Sequence, residues 1–239
     1  MSAHVEQQAA QRRRDRRLLG LVALTLVLVL VGGGLAWQQW RTGRAPAAVP
    51  GPNAGFGPVS VVPGKPLVLG QSGAPVRLTL YEDFHCRHCA DFEEKLGPAV
   101  TAEQNAGRLV VELYPMSFVD AGSASAANAM ACAAENGFGP AYYRGLFANS
   151  TLRWNDSQLL DLATKVLSAV PAASETGRQS FSRCVTDRAH ASWVQSINSA
   201  AQAAGVTATP TVFLDGRPVD WATLTPDTLR SRVDQAASS

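Results

Sequence analysis

Cys86 and Cys89, in "FHCRHCADFEE" (84–94), are the residues of this 239-residue chain whose type and spacing point most directly to chemistry. A cysteine pair separated by two residues can ligate a metal, close a static crosslink, or cycle electrons as a dithiol. A zinc site needs a second pair of ligands. The other cysteines, Cys132 and Cys184, each stand alone. A static bridge across so short a loop constrains little. The flanking pattern favours redox chemistry. "VRLTLYEDF" (76–84) alternates apolar residues like a strand, and "ADFEEKL" (90–96) reads as a helix. Cys86 then sits at a helix N-terminus, where backbone N–H groups and the helix dipole favour a thiolate. Cys89 lies about one turn further in, shielded but within disulfide reach. Cys86 is the attacking sulfur and Cys89 the resolving one.

The two spacer residues sharpen this reading. His88 beside the pair can donate to the thiolate or stabilise it by charge, and Arg87 adds a second cation. Stabilising the thiolate stabilises the reduced form, which makes the disulfide a better oxidant. About 1.4 kcal/mol corresponds to about 30 mV. His85, at the strand end, is as readily a spacer facing solvent as a functional group.

Other elements must hold this pair. "RLVVELYPMSF" (108–118) is a second strand. Residues 121 to 204 are Ala-rich and helical, punctuated by Ser, Asp and Gly. "PTVFLDG" (210–216) is a strand entering an Asp-Gly turn, with "RPVDW" as its hairpin partner. "TPDTLRSRVDQAA" (225–237) is a helix with Thr225 as N-cap and Pro226 in its first turn. Pro98 is expected to kink or end the helix that follows the cysteines. The order is βαβ, a helical block, ββ, then α, an α/β sheet with a helical insertion.

The N-terminus suggests a compartment. Leu18 to Ala36 is an uncharged apolar run of 19 residues, preceded by "RRRDRR" and followed by Trp37 and Trp40. That length roughly spans a bilayer. The Arg cluster places the N-terminus on the cytoplasmic side. We read 1–17 as a cytoplasmic basic tail, 18–38 as a single transmembrane anchor, 39–62 as a Pro/Gly-rich linker, and 63–239 as an extracytoplasmic domain. The competing reading is a cleaved signal peptide, though the nearest small-x-small site, "APA" at 45–47, lies far downstream. The first 44 residues carry seven Arg against Glu6 and Asp15, net +5; the whole chain carries +2, so the remainder carries −3. A mildly acidic body leaves no nucleic-acid footprint. Outside the cytoplasm, Cys132 and Cys184 would pair as a structural disulfide, with a second redox pair as the alternative.

"YEDFHCRHCADFE" together with the later "GVTATPTVFLDG" resembles the DsbA-like thiol:disulfide oxidoreductases of the thioredoxin superfamily, in particular the membrane-anchored Gram-positive and actinobacterial members. The resemblance spans about residues 60–239. It implies a thioredoxin-like fold with the block 121–204 as its helical insertion. It implies a cis Pro210 set against the CxxC, with the Thr209 backbone free to pair with a substrate strand beside Cys86. It also implies a second, structural disulfide, consistent with Cys132–Cys184. No cofactor or metal is expected. The implied partners are exported proteins with free thiols and a quinone-linked membrane oxidase of the DsbB or vitamin-K-epoxide-reductase (VKOR-like) type. The sequence departs from the family at three places. The spacer is Arg-His rather than Pro-His, and Thr precedes the Pro, as in the isomerase branch. The superfamily's buried acid six residues before the first cysteine is replaced by Leu80. Glu82 or Asp83 could shuttle protons in its place, or both could be strand-end surface acids. The expected activity is oxidation of exported proteins. The alternatives are a reductase or isomerase, and a non-catalytic tethered thioredoxin-like module.

Overall fold

The computed structural model describes residues 59–169 and 175–238. The expected tail, the anchor at 18–38 and most of the linker lie outside them. No helix among the described residues is long and apolar enough to cross a membrane.

The five strands are β1 (Leu67–Leu69), β2 (Val76–Glu82), β3 (Leu109–Pro115), β4 (Thr211–Leu214) and β5 (Arg217–Val219). They form one sheet in the order β1-β3-β2-β4-β5. β2 and β3 are parallel, in register from Val76↔Leu109 to Glu82↔Pro115. Helix α1 (Arg87–Asn105) makes the crossover between them. β4 runs antiparallel to β2, and β5 folds back on β4. The two-residue turn of that hairpin is Asp215-Gly216, at φ of 48° and 74°. Both residues adopt the left-handed conformation that such tight hairpin loops require. β2 is central, and Val76, Leu78 and Leu80 are buried in its first half, as the alternation predicts. Helix α1 covers this layer with Phe92, Leu96 and Val100.

The helical block lies between β3 and β4. It comprises α2 (Ala121–Glu135), α3 (Gly139–Ala148), α4 (Asp156–Ala169), α5 (Glu175–Thr186) and α6 (Ala191–Ala203). α2 is its axis. Every residue from Ala126 to Ala134 is buried, and the other four helices all pack on it. Alanine side chains are short enough to let neighbours approach from all sides. The disulfide Cys132–Cys184 ties α2 to α5 across 52 residues of sequence. Closing a loop of that length stabilises the fold by about 4 kcal/mol in the chain-entropy picture. Helix α7 (Pro226–Ala237) packs on α1, capped reciprocally by Thr225 and Thr228.

Three expectations need correcting. α1 neither ends before Pro98 nor breaks there; it runs on to Asn105. Pro98 and Glu94, whose carbonyl loses its helical partner, are both exposed, so water can satisfy that carbonyl. β1 is an additional edge strand, antiparallel to β3. Residues 59–62, assigned by composition to the linker, lie against the helical block instead. The Val59 N–H donates to the Ala134 carbonyl at 2.9 Å, and Trp193 Nε1 donates to the Val62 carbonyl at 3.0 Å.

Candidate active site

The carboxyl end of β2 dives beneath the helical block, and the period-two alternation stops there. Tyr81, Glu82, Asp83, Phe84 and His85 are buried in succession. The turn is set by Asp83. Its backbone carbonyl accepts from Cys86 N–H at 2.9 Å. Its carboxylate accepts from His85 N–H (2.8 Å), Phe118 N–H (2.8 Å) and Val119 N–H (3.0 Å), pinning the β3–α2 loop to the β2–α1 turn. Phe84 packs its ring against Tyr143 and Phe147 of α3, at centroid distances of 6.1 and 5.1 Å.

Cys86 is the N-cap of α1, with extended backbone, and is half-buried; Cys89 is fully buried one turn on. Both thiols are free. The Thr209–Pro210 peptide is cis, as the resemblance implies, and the Thr209 carbonyl lies 3.4 Å from Cys86 Sγ. The sequence-predicted Cys86, Cys89, Thr209 and Pro210 therefore come together.

The electrostatics divide the two sulfurs. The Cys86 pKa falls to about 5, chiefly because the Cys89 thiol donates to its thiolate. Partial burial opposes this, and the Thr209 hydroxyl and the backbone N–H groups of Cys89 and His88 add to it. Cys89 is pushed far above the ordinary thiol range by burial, by its hydrogen bond to Cys86 and by the charge of Glu82. The spacer residues contribute differently from expectation. The His88 side chain is 72% exposed, with Nδ1 3.6 Å from Asp91 Oδ2, so its backbone rather than its ring faces the thiolate. Arg87 is exposed as well.

Glu82, Asp83 and His85 are not surface groups. Glu82 has no exposed surface, its Oε1 has no hydrogen-bond partner, and its Oε2 meets the Tyr143 hydroxyl. The same hydroxyl is 2.8 Å from Glu93 Oε1. One phenolic hydrogen cannot serve two carboxylates, so this arrangement needs a protonated carboxyl. Both acids accordingly have raised pKa values, in each case chiefly from desolvation, and for Glu82 the charge of Glu93 adds to it. A cavity of about 10 Å³, room for roughly one water, adjoins this cluster, lined in part by Glu93, Gly97, Tyr143 and Arg144. His85 is clamped between Asp120, 2.6 Å from Nδ1, and Trp154, whose backbone N–H donates to Nε2 at 3.0 Å. This fixes the tautomer with hydrogen on Nδ1. Sequence reasoning missed Glu93 and Tyr143. Glu93 lies four residues after Cys89 on the same helix face, a usable signal. Tyr143, 61 residues from Glu82, left none. Among the described residues one group of three possible metal-ligating side chains lies close together, Cys132, Cys184 and His190, with the two sulfurs bonded to each other.

No curated protein matches this chain by sequence. Its fold is similar to that of MdbA, a thiol-disulfide oxidoreductase from Actinomyces oris, at a TM-score of 0.60 and 21% identity, covering 73% of this chain and 93% of that one. It is similar to oxidised BdbD from Bacillus subtilis, with a TM-score of 0.59, 20% identity and coverage of 79% and 100%. It is also similar to the reduced disulfide bond oxidoreductase DsbG from Mycobacterium tuberculosis, with a TM-score of 0.58, 21% identity and coverage of 75% and 95%. A family profile described as thioredoxin matches residues 63–235, and the chain belongs to that family.

Proposed function

We propose that the chain is a protein thiol:disulfide oxidoreductase that introduces disulfides into exported proteins. The observation that carries this reading is the placement of the pair, with Cys86 half-buried at the helix N-cap beside the Thr209 carbonyl and Cys89 fully buried one turn on, which lowers the Cys86 pKa and raises that of Cys89. A dithiol held as one stable thiolate and one buried thiol favours its reduced form, so its disulfide is oxidising.

In this reading a substrate thiolate attacks Cys86 Sγ of the oxidised pair, and Cys89 leaves. The nascent Cys89 thiolate is buried and strongly basic, and protonated Glu82 gives it a proton. A second substrate thiolate then attacks the substrate sulfur of the mixed disulfide and expels Cys86, a good leaving group. The substrate departs oxidised. The protein is left with a Cys86 thiolate and a Cys89 thiol. Tyr143 and Glu93 resupply Glu82 from the side of the water-sized cavity. The Thr209 carbonyl, beside the reacting sulfur, is a backbone acceptor for an extended substrate segment. Reoxidation is assigned to a quinone-linked membrane oxidase of the DsbB or VKOR-like type. Residues 18–38 are assigned as an uncleaved anchor that holds residues 63–239 outside the cytoplasm.

The reduction potential of the Cys86–Cys89 pair tests the direction of flow. We expect a value more oxidising than the roughly −270 mV of thioredoxin; a value at or below that makes the protein a reductase. Substituting both cysteines separates an enzyme from a tethered scaffold, which would keep its activity. Recovery of a soluble mature form beginning near residues 45–50 would remove the anchor.

A further inference from the structure

The Cys132–Cys184 bridge has an unusual neighbour for a structural crosslink. His190, the N-cap of α6, brings a ring nitrogen within 4.8 Å of both sulfurs. The histidine is held from two sides. Its backbone N–H donates to Asn128 Oδ1 at 2.9 Å, and its Nε2 lies 2.8 Å from Glu135 Oε2. Asn128 and Glu135 both belong to α2, one turn before and one turn after Cys132. Asn128 Nδ2 also lies 3.9 Å from Cys132 Sγ. Cys132 is fully buried, Cys184 is half-buried, and the His190 side chain is only 13% exposed. Apolar packing would suffice around a bridge. An imidazole oriented by a carboxylate beside two sulfurs is instead the donor arrangement of a thiophilic metal centre.

We propose that Cys132, Cys184 and His190 form a zinc site when the bridge is reduced, so that the disulfide is one state of a redox-gated metal centre. An external dithiol supplies the two electrons. One of its sulfurs attacks Cys184 Sγ, the more accessible sulfur, and the Cys132–Cys184 bond breaks with Cys132 leaving. The reductant's second sulfur then displaces Cys184 and closes the reductant's own disulfide. The two thiols bind Zn²⁺ as thiolates and release two protons. With Nε2 engaged by Glu135, the imidazole offers Nδ1 as the third ligand, and water fills the fourth position. Zn–S bonds of about 2.3 Å in a tetrahedral site put the sulfurs about 3.7 Å apart. Cα atoms 5.9 Å apart allow this by side-chain rotation. The metal would join α2, α5 and α6, one element more than the bridge, and would shield both thiols from exchange with Cys86.

The test uses the full chain carrying Cys86→Ser and Cys89→Ser, which removes the rival thiolate pair. The protein is reduced with a phosphine, freed of it without air, and titrated with Co²⁺ and then Zn²⁺. We expect one Co²⁺ per chain, with thiolate-to-cobalt charge-transfer absorption and tetrahedral visible bands, displaced by Zn²⁺. The oxidised protein should show none of this. Adding His190→Ala leaves the bridge able to form, so its oxidised fold can be verified by circular dichroism. Once reduced, that variant should bind at least tenfold more weakly. Should the reduced protein unfold without metal, Zn²⁺ should restore its dichroism and melting transition only when His190 is present. Binding that is absent after reduction, equal in the oxidised state, or indifferent to His190 overturns the proposal.

Discussion

The carbonyl oxygen of Thr209 stands 3.4 Å from Cys86 Sγ across 123 residues of sequence, and the hydroxyl of the same threonine favours the Cys86 thiolate. His88, although only two residues from Cys86, turns its ring to solvent beside Asp91. Thr209→Val should therefore raise the Cys86 pKa more than His88→Ala does. A hydrogen bond to a charged group contributes about 1.5–3 kcal/mol, and one pKa unit is about 1.4 kcal/mol. The expected rise for Thr209→Val is about one unit, read from the pH dependence of Cys86 alkylation. A larger effect from His88→Ala would show that the ring, not the threonine, governs the thiolate.

The divided pair also sets how the potential responds to pH. Cys86 ionises near 5 while Cys89 stays protonated far above that. Between about pH 5 and the upper thiol range, reduction takes up two electrons and one proton. The potential should fall by about 30 mV per pH unit there, and by about 59 mV per unit below pH 5, where both sulfurs take protons. The folded reduced chain gains stability from the same shift. A lowered pKa stabilises fully above the unfolded thiol value of about 8.5. That contribution shrinks as pH falls and is gone below about 5. A slope near 59 mV throughout pH 6–8 would mean that Cys86 is protonated there.

Gly122 supports the site from the start of α2. A Cβ at this position would land on His85 Cε1 and lie 3.0 Å from the Trp154 carbonyl oxygen. The His85 ring cannot yield, because Asp120 and Trp154 hold its two nitrogens. Gly122→Ala should cost about 1–3 kcal/mol, as overpacking does, measured by denaturant unfolding of the oxidised protein. An unchanged midpoint would show that the clamp is loose.

The parts of this site legible in sequence were the local ones. A strand, a cysteine at a helix start and a second cysteine one turn on follow from short-range pattern and helix physics; β2, Cys86 and the start of α1 were legible in this way, whereas the run of α1 past Pro98 to Asn105 was not. Pro210 became legible only through resemblance to a family. The burial of Glu82 and His85 was not legible. Alternation along "LYEDFH" would leave some of these residues facing solvent, but Tyr143 closes over Glu82, and Asp120 and Trp154 hold His85, from 35 to 69 residues away in sequence. β1 was hidden because three residues after a Pro/Gly-rich stretch carry too little pattern to read as a strand. His88 misled because proximity in sequence does not set the direction of a side chain at the first turn of a helix.

Glu82 is the residue on which the proton chemistry of the proposed reaction turns. It is fully buried, and in its ionised form its charge raises the Cys89 pKa. Its own pKa is raised by desolvation first and by Glu93 second, which favours the protonated carboxyl that this step requires. Replacing it with Gln keeps the shape and can keep the Tyr143 contact, but removes the transferable proton. In single-turnover oxidation of a dithiol peptide, Glu82→Gln should slow the release of Cys89 from the pair by roughly 100-fold, the lower end for a positioned proton donor. Alkylation of Cys86 in the reduced protein should change little, because that step needs no proton from Glu82. The pH dependence of the slow step should flatten, since the group that titrates is gone. Thermal stability should hold or rise, because a buried acid has been replaced by a neutral group. Equal slowing of alkylation and oxidation would point to a displaced helix α1, and no slowing at all would mean that water protonates Cys89 without Glu82.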